Sequence, residues 1–316
     1  MSMIIGGTKI DEGEKVKGLL KVGEAPAHDV AMPYIAISGA QPGPRLCVLG
    51  GIHPLEYASI EGVLRVAREI EPGVLRGTLL VVPVVNTDGF EARAAFNNPI
   101  DYVNQNRVFP GDHAGTMSRR VAYILFDEIV SKADCLIDSH GGDLTEDISR
   151  FVIIGDTEDE DIHRKMVGMA QCYDALYIRL TNIKGSTKEA LDKYGIPCIT
   201  PESGTPYPVR EEDIMFHHDG IINVMRHLGM LEGSPETRKL EVNPTQERLY
   251  AERGGIWRQG VRAGQKVKKG MVLGEVVNLF GETLQTVRAP FDGVANNLRT
   301  SCVANTGDTL LSVIEV

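Results

Sequence analysis

Gly50-Gly51-Ile52-His53-Pro54-Leu55-Glu56-Tyr57 follows the apolar run Arg45-Leu46-Cys47-Val48-Leu49, and its reading decides how the rest of the chain is understood. The apolar run predicts a short buried strand, which the two glycines end. Pro54 suits the first turn of a helix, where its missing N–H costs nothing. Leu55, Ala58, Ile60, Val63, Leu64 and Ala67 then recur with helical period to about Ile70. His53 is thereby expected at the strand exit and Glu56 in the first helical turn. Helical side chains lean toward the N-terminus, so imidazole and carboxylate can converge on one point. That point suits a divalent metal with nitrogen and oxygen ligands. A helix cap or a surface ion pair would use the same two residue types.

Working outward, strands and helices alternate. Upstream, residues 15–22 and 28–38 read as strands, and Ala40-Gln41-Pro42-Gly43-Pro44 turns the chain into the strand already described. Downstream, Glu71-Pro72-Gly73 stops the helix, and residues 78–85 (TLLVVPVV) read as a strand buried on both faces. Residues 91–117 are polar and irregular, a length that marks a functional or disordered loop. Helices are predicted over 118–130, 159–172, 187–193 and 210–228. A second short buried strand in 133–143 ends in His140-Gly141-Gly142, and further strands are expected at 151–154 and 196–200. This order predicts an α/β fold, with a mixed, largely parallel sheet, helices on both faces and an antiparallel edge from the first strands.

After Met230 the texture changes. Leu231 to Glu236 is a polar linker, and from Arg238 short strands alternate with Gly, Pro and Asn turns. Residues 261–270 and 287–294 resemble the flattened barrels of lipoyl and biotinyl carrier domains. The corresponding hairpin tip, Asn278-Leu279-Phe280-Gly281-Glu282, has no lysine to carry a cofactor, so a structural all-β barrel is expected instead. Two domains follow from this reading, 1–232 catalytic and 233–316 all-β.

With 316 residues, 42% hydrophobic and 24% charged, the chain has the composition of a soluble globular protein with a sizeable core. A formal charge of −10 without a basic run disfavours nucleic acid. No apolar stretch reaches the roughly 20 residues a membrane span needs, and the N-terminus lacks the pattern of a signal peptide. The five cysteines form no C-x-x-C pair, which points to reduced core thiols and a cytoplasmic location. A homo-oligomer is compatible with all of this.

His53, His140 and Glu202 each follow a short apolar strand, and in open α/β sheets ligands bind at the carboxyl ends of strands. A catalytic zinc typically takes three nitrogen and oxygen ligands and leaves one position open. His53, Glu56 and His140 supply that set, and Glu202 is left to act as general base. Asp138 is either an orienting partner for a histidine ligand or a turn residue, and Asp143 is open in the same way. Tyr207, five residues after Glu202, could donate a phenolic hydrogen bond. His217-His218, with acidic neighbours, reads as helix surface, and His113 as a solvent-exposed loop residue.

His53-x-x-Glu56, Asn106-Arg107-x-Phe109-Pro110-Gly111, Asp138-x-His140-Gly141-Gly142 and Pro201-Glu202-x-Gly204 together resemble the succinylglutamate desuccinylase/aspartoacylase family, a branch of the zinc carboxypeptidase superfamily. The likeness covers about residues 30–230, and the C-terminal barrel fits the family's usual appendage. It implies one zinc held by His53, Glu56 and His140, with Glu202 promoting attack of water on an amide carbonyl. It also implies a small N-acyl substrate whose carboxylate is held by Asn106 and Arg107, a task that suits guanidinium geometry. The family's oxyanion arginine falls near Ala95, with Arg93 as the candidate two residues away. Asn104 stands where the family has an acidic or amide residue, and Pro54-Leu55 replaces the family's Gly-Asp/Asn. The implied activity is hydrolysis of the amide bond of a small N-acyl amino acid or amine. A carboxypeptidase-like peptidase and a non-catalytic metal or carrier module are the alternatives.

Overall fold

In the computed structural model, which describes residues 2–315, a hairpin of β1 (Met3–Ile5) and β2 (Thr8–Ile10) precedes the main sheet. The chain continues through β3 (Lys15–Glu24), β4 (Asp29–Ser38), β5 (Gln41–Leu49), α1 (Tyr57–Glu69), β6 (Arg76–Val82), α2 (Thr87–Ala92), α3 (Met117–Glu128) and β7 (Cys135–Asp138). Next come β8 (Glu146–Ile154), α4 (Glu160–Ala170), β9 (Tyr177–Leu180), α5 (Glu189–Tyr194), β10 (Cys198–Gly204) and α6 (Glu211–His227). The strands of the sheet run in the order β9-β8-β10-β7-β5-β6-β4-β3. β10, β7, β5 and β6 are mutually parallel, β8 and β9 are parallel to each other, and β8 meets β10 antiparallel. β4 and β3 form the expected antiparallel edge.

Alternation along the central strands feeds two cores. Leu46 and Val48 of β5, Leu79 and Val81 of β6 and Ile137 of β7 pack with α1, α4 and α6 on one face. Cys47, Leu49, Leu80, Val82 and Leu136 pack with α3 on the other. Both faces are therefore covered, which explains the near-continuous apolar runs.

The C-terminal region is all-β, as expected, and is built from two small antiparallel sheets. β11 (Glu241–Val242) joins the main sheet beside β9. β12 (Gln246–Tyr250), β13 (Gly255–Gln259), β14 (Lys266–Val267), β15 (Val272–Val277), β16 (Thr283–Arg288), β17 (Gly293–Asn296), β18 (Leu298–Arg299), β19 (Val303–Ala304) and β20 (Thr309–Ile314) follow. They form two four-stranded antiparallel sheets, β12-β20-β17-β14 and β16-β15-β13-β19, while β18 pairs with β8 of the main sheet. Trp257, Leu273 and Val276 of one sheet share a core with Leu310, Leu311 and Val313 of the other. Each sheet ends at β14 or β16 on one side, so the pair is a small sandwich. The hairpin between β15 and β16 carries the lysine-free tip, with Phe280 91% exposed.

Local boundaries also depart from the sequence reading. α1 starts at Tyr57, two residues late, because Glu56 is its N-cap residue and makes no side-chain cap. Its carboxylate is used elsewhere. β10 runs through Glu202 to Gly204, so Glu202 lies within a strand rather than after one. β8 starts at Glu146 rather than 151, and β9 was not anticipated.

Beyond Asp138 the chain stays beside β10: His140 N–H donates to Pro201 O at 2.9 Å. A Cβ on Gly141 would lie 2.3 Å from Ser203 O, so no other residue fits this crossing. Gly141→Ala is expected to lower the unfolding free energy by about 1–3 kcal/mol in urea denaturation. Unchanged stability would contradict the close approach.

Candidate metal centre

Three side chains meet where β5 and β7 end. His53 lies in the turn after β5, Glu56 at the cap of α1, and His140 two residues after β7; all three are buried. His53 Nδ1 is 2.8 Å from Glu56 Oε1, and His140 Nδ1 is 2.9 Å from Glu56 Oε2. The rings are 4.9 Å apart edge to face, and Phe96 packs against His53.

The far nitrogens are held separately. His140 Nε2–H donates to Asp138 Oδ2 at 2.9 Å, and Thr187 donates to the same oxygen at 2.5 Å. His53 Nε2 faces Asn104 Oδ1 at 3.2 Å. With Nε2 engaged as donor on both rings, both Nδ1 atoms point inward, the arrangement that orients histidine ligands around a metal. The contact of His140 Nδ1 with Glu56 Oε2 is close but not in line for a hydrogen bond. Glu56 Oε2 is thus a buried oxygen with no hydrogen-bond partner. Ligand atoms of His53, Glu56 and His140 lie within 4.8 Å of one another, and this donor set fits one divalent ion.

Burial works against ionising Glu56, but His140 and His53 outweigh it and bring its carboxyl down to about 2. Burial would likewise depress His140, but Asp138 and Glu56 hold its imidazole well above the usual value. Without metal, then, His140 keeps a proton that occupies a lone pair a metal needs.

Glu202 lies beside this cluster, in bridge partnership with His140 across the strands. Burial drives its carboxyl well above the ordinary range, His140 opposes this, and Glu56 and Glu146 add to it. Glu202, the three clustered residues, Asn106 and Arg107 line one cavity of about 260 Å³. Asn106 lies 3.5 Å from His140 Nε2, and the exposed Arg107 guanidinium reaches back to Asn106 O at 2.6 Å.

Other candidates fall elsewhere. Arg93 caps α2 in the left-handed conformation, exposed, and is not among the residues lining this cavity. Tyr207 is 61% exposed, also outside the lining, with its hydroxyl 3.4 Å from that of Tyr57. Asp143 is buried and accepts from the Phe96 and Leu144 amides, a loop-holding role. His113 is exposed as expected. His217 is not on the surface: it is fully buried against α1, where Gly62 leaves room for it, and burial lowers its pKa to about 4. Cys47, Cys135, Cys172 and Cys198 are buried free thiols, and Cys302 is exposed. Sequence reasoning passed over Thr187, Glu146, Arg179 and Asn297, which also border the centre or its cavity. None of these stands in a pattern that singles it out.

Buried histidines and a carboxylate at the strand ends of a two-faced α/β sheet, with a second carboxylate alongside, define a metallohydrolase. The sequence pattern of the succinylglutamate desuccinylase/aspartoacylase catalytic domain matches residues 42–228, and the chain belongs to that family of metal-dependent amidohydrolases. Over 297 residues it is 26% identical to an N-alpha-acetyl-L-2,4-diaminobutyric acid deacetylase of Halomonas elongata, covering 91% of this chain and 86% of the relative. Its fold is similar to that of the product-bound ectoine utilization protein EutE (DoeB) from Ruegeria pomeroyi, with a TM-score of 0.86, 23% identity and 97% of each chain covered. A succinylglutamate desuccinylase/aspartoacylase from Rhodobacter sphaeroides gives a TM-score of 0.85 at 22% identity, covering 97% of this chain and 98% of that one. Among the described residues no helix is long and apolar enough to cross a membrane.

Because His140 must lose its proton to take a metal, zinc affinity is expected to rise with pH. Chelator-competition titrations between about pH 6 and pH 8 check this. A flat profile would contradict the assigned protonation.

Proposed function

We propose that the chain is a zinc-dependent amidohydrolase that removes the acyl group from a small N-acyl amino acid. The observation that carries the reading is the Glu56 carboxylate set between two inward-facing histidine Nδ1 atoms, with Glu202 beside it in the same cavity. His53, Glu56 and His140 would hold one zinc per chain. Zinc bound there supplies Lewis acidity, polarising the amide carbonyl and acidifying water.

The remaining chemistry falls to side chains of this protein. Glu202 takes a proton from the attacking water as the new C–O bond forms at the carbonyl carbon. It returns that proton to the amide nitrogen as the C–N bond breaks, so the amine leaves neutral and the acid is released. Asn106 and Arg107 bind the substrate carboxylate and orient the amide. Asp138 holds His140 through Nε2, and Asn104 does the same for His53. The catalytic unit is residues 1–232, with 233–316 as a β-rich appendage along one side of the cleft. Arg93 and Tyr207, away from the cavity lining, have no part in this scheme.

The Halomonas relative acts on an acetylated diamino acid, which makes acetylated amino acids the first substrates to assay. A peptidase of the carboxypeptidase type is the rival within the same chemistry, and dipeptides in the same panel separate the two. Glu202→Gln should retain about one zinc per chain while kcat falls by about 10²–10⁴-fold or more. Preserved turnover would remove Glu202 from the role of base. The base must be ionised to act, so activity should be lost as pH falls through its raised pKa. The acid limb of kcat/KM is therefore expected above about 4.3, the ordinary glutamate value. A limb at or below that value would contradict the assignment.

A further inference from the structure

Glu202 takes its direction from its own backbone. Its carboxylate makes no hydrogen bond or ion pair among the described residues, so only the strand that carries it aims it. At Glu202 itself β10 is paired on both sides, with Phe151 of β8 and with His140. Immediately afterwards the pairing slips: Gly204 stands opposite Ile148, which leaves Ser149 and Arg150 against Ser203 alone. A slip of this kind disrupts the ladder and bends the strand. The Ser203 N–H reaches His140 O only at a long 3.4 Å. The base therefore stands one residue from a break in its ladder.

A chain of polar side chains spans that break from the side of α6. Side chains alternate along a strand, so Ser203 points toward α6 while Glu202 faces the metal-site cavity. Ser203 Oγ–H donates to Asp213 Oδ1 at 2.6 Å, in the first turn of α6. Asp213 Oδ2 accepts from Arg210 Nε at 2.5 Å. Arg210 then donates through both terminal nitrogens to the Asp147 carboxylate of β8, at 2.8 and 3.3 Å. Asp147 adjoins Ile148, so the chain starts on β8, ends on β10 and ties them where their ladder is interrupted. Gly204 completes the fit: its φ is +101°, and a Cβ there would lie 3.2 Å from Asp213 Cβ. α6 packs directly against the slip.

The electrostatics of this chain go beyond joining a helix to a sheet. Asp213 is 3% exposed and Asp147 7%, and one guanidinium offsets both, which leaves a net negative charge out of water. Apolar side chains would hold α6 to β10 without that cost, but their contact has no direction. A charge-assisted hydrogen bond has one, and here it fixes the rotation of the peptide next to Glu202. We propose that Asp213, braced by Arg210 and Asp147, is a positioning residue. Through the Ser203 hydroxyl it sets the course of β10 at the register slip, and thereby the direction of the Glu202 carboxylate. The inference rests on the amidohydrolase reading, in which Glu202 is the base, and adds to it the residues that aim that base.

The zinc-loaded full-length protein is assayed as wild type, Ser203→Ala, Asp213→Leu, Asp213→Asn and the Ser203→Ala/Asp213→Leu double variant. The substrate is whichever member of a panel of N-acetyl and N-succinyl amino acids the wild type cleaves fastest. Ser203→Ala leaves the Asp213–Arg210–Asp147 contacts in place. It should lower kcat by about 10–10²-fold, the scale of a misplaced catalytic group, with KM and zinc content held. Asp213→Leu should lose as much, and Asp213→Asn, which keeps an acceptor for the hydroxyl, should recover part of it. The double variant should lose no more than either single one, since both remove the same bond. Hydrogen exchange of the metal-free protein reads the tie without turnover: residues 202–204 should exchange about tenfold faster in Ser203→Ala than in wild type. Thermal midpoints verify folding, and if one of the two single removals does not fold, the other decides. Unchanged kcat or unchanged exchange in a folded removal variant, a loss carried by KM, or additive losses in the double variant would overturn the proposal. Failure of the wild type to cleave any member of the panel would instead overturn the amidohydrolase reading, and this role with it.

Discussion

A carboxylate buried between two imidazoles is the constraint on which this structure depends. Glu56 is 4% exposed, and ionising it there is unfavourable unless positive charge is close. His53 and His140 supply that charge when protonated, and a divalent ion would supply more of it. Each histidine is in turn tied from behind, by Asn104 and by the Asp138–Thr187 pair. Removing one of these partners would strand a buried charge, which is a larger penalty than the loss of one hydrogen bond. The centre is therefore a connected unit, and the turn after β5, the end of β7 and the start of α5 are fixed relative to one another through it.

The sheet topology places the remaining chemistry. β10 is parallel to β7, which sets Glu202 next to His140, and it is antiparallel to β8, which turns Phe151 and Ile153 toward the same cavity. The register of β8 slips between Ile148 and Phe151, so Glu146 and Ile148 also reach that cavity despite simple alternation. The C-terminal strands close the flank. β18 pairs with β8, Ser149 donates to Asn296 at 2.5 Å, and Ile314 and Val294 share a small core with Phe151 and Tyr177. The C-terminal strands thus contribute Asn297 to the lining of the metal-site cavity.

Much of this was legible in the sequence because buried strands write themselves as apolar runs and the site residues sit at their ends. His53, Glu56, His140 and Glu202 were placed together on that ground, and the structure brings all four to one cavity. The failures have physical causes. α1 begins late because Glu56 turns its carboxylate to the histidines and leaves its cap position without a side-chain bond. His217 looked superficial because Asp213 and Asp219 flank it, yet Asp219 marks another face of α6, and Asp213 shares the buried face with His217 one turn earlier. Asp213 is itself buried, bonded to Ser203 at 2.6 Å and to Arg210 at 2.5 Å. β9 was missed because four residues are too few for a periodic signal, and Arg179 was missed with it. In the C-terminal region the glycine-and-proline rhythm specifies short strands and turns, without specifying how they divide into the two small antiparallel sheets that form.

Zinc-edge anomalous diffraction from crystals grown with zinc tests the central claim most directly. One strong peak is expected per chain, at about 2.0–2.2 Å from His53 Nδ1, His140 Nδ1 and a Glu56 oxygen. Zinc bound elsewhere, or held through the Nε2 atoms that face Asn104 and Asp138, would contradict the account.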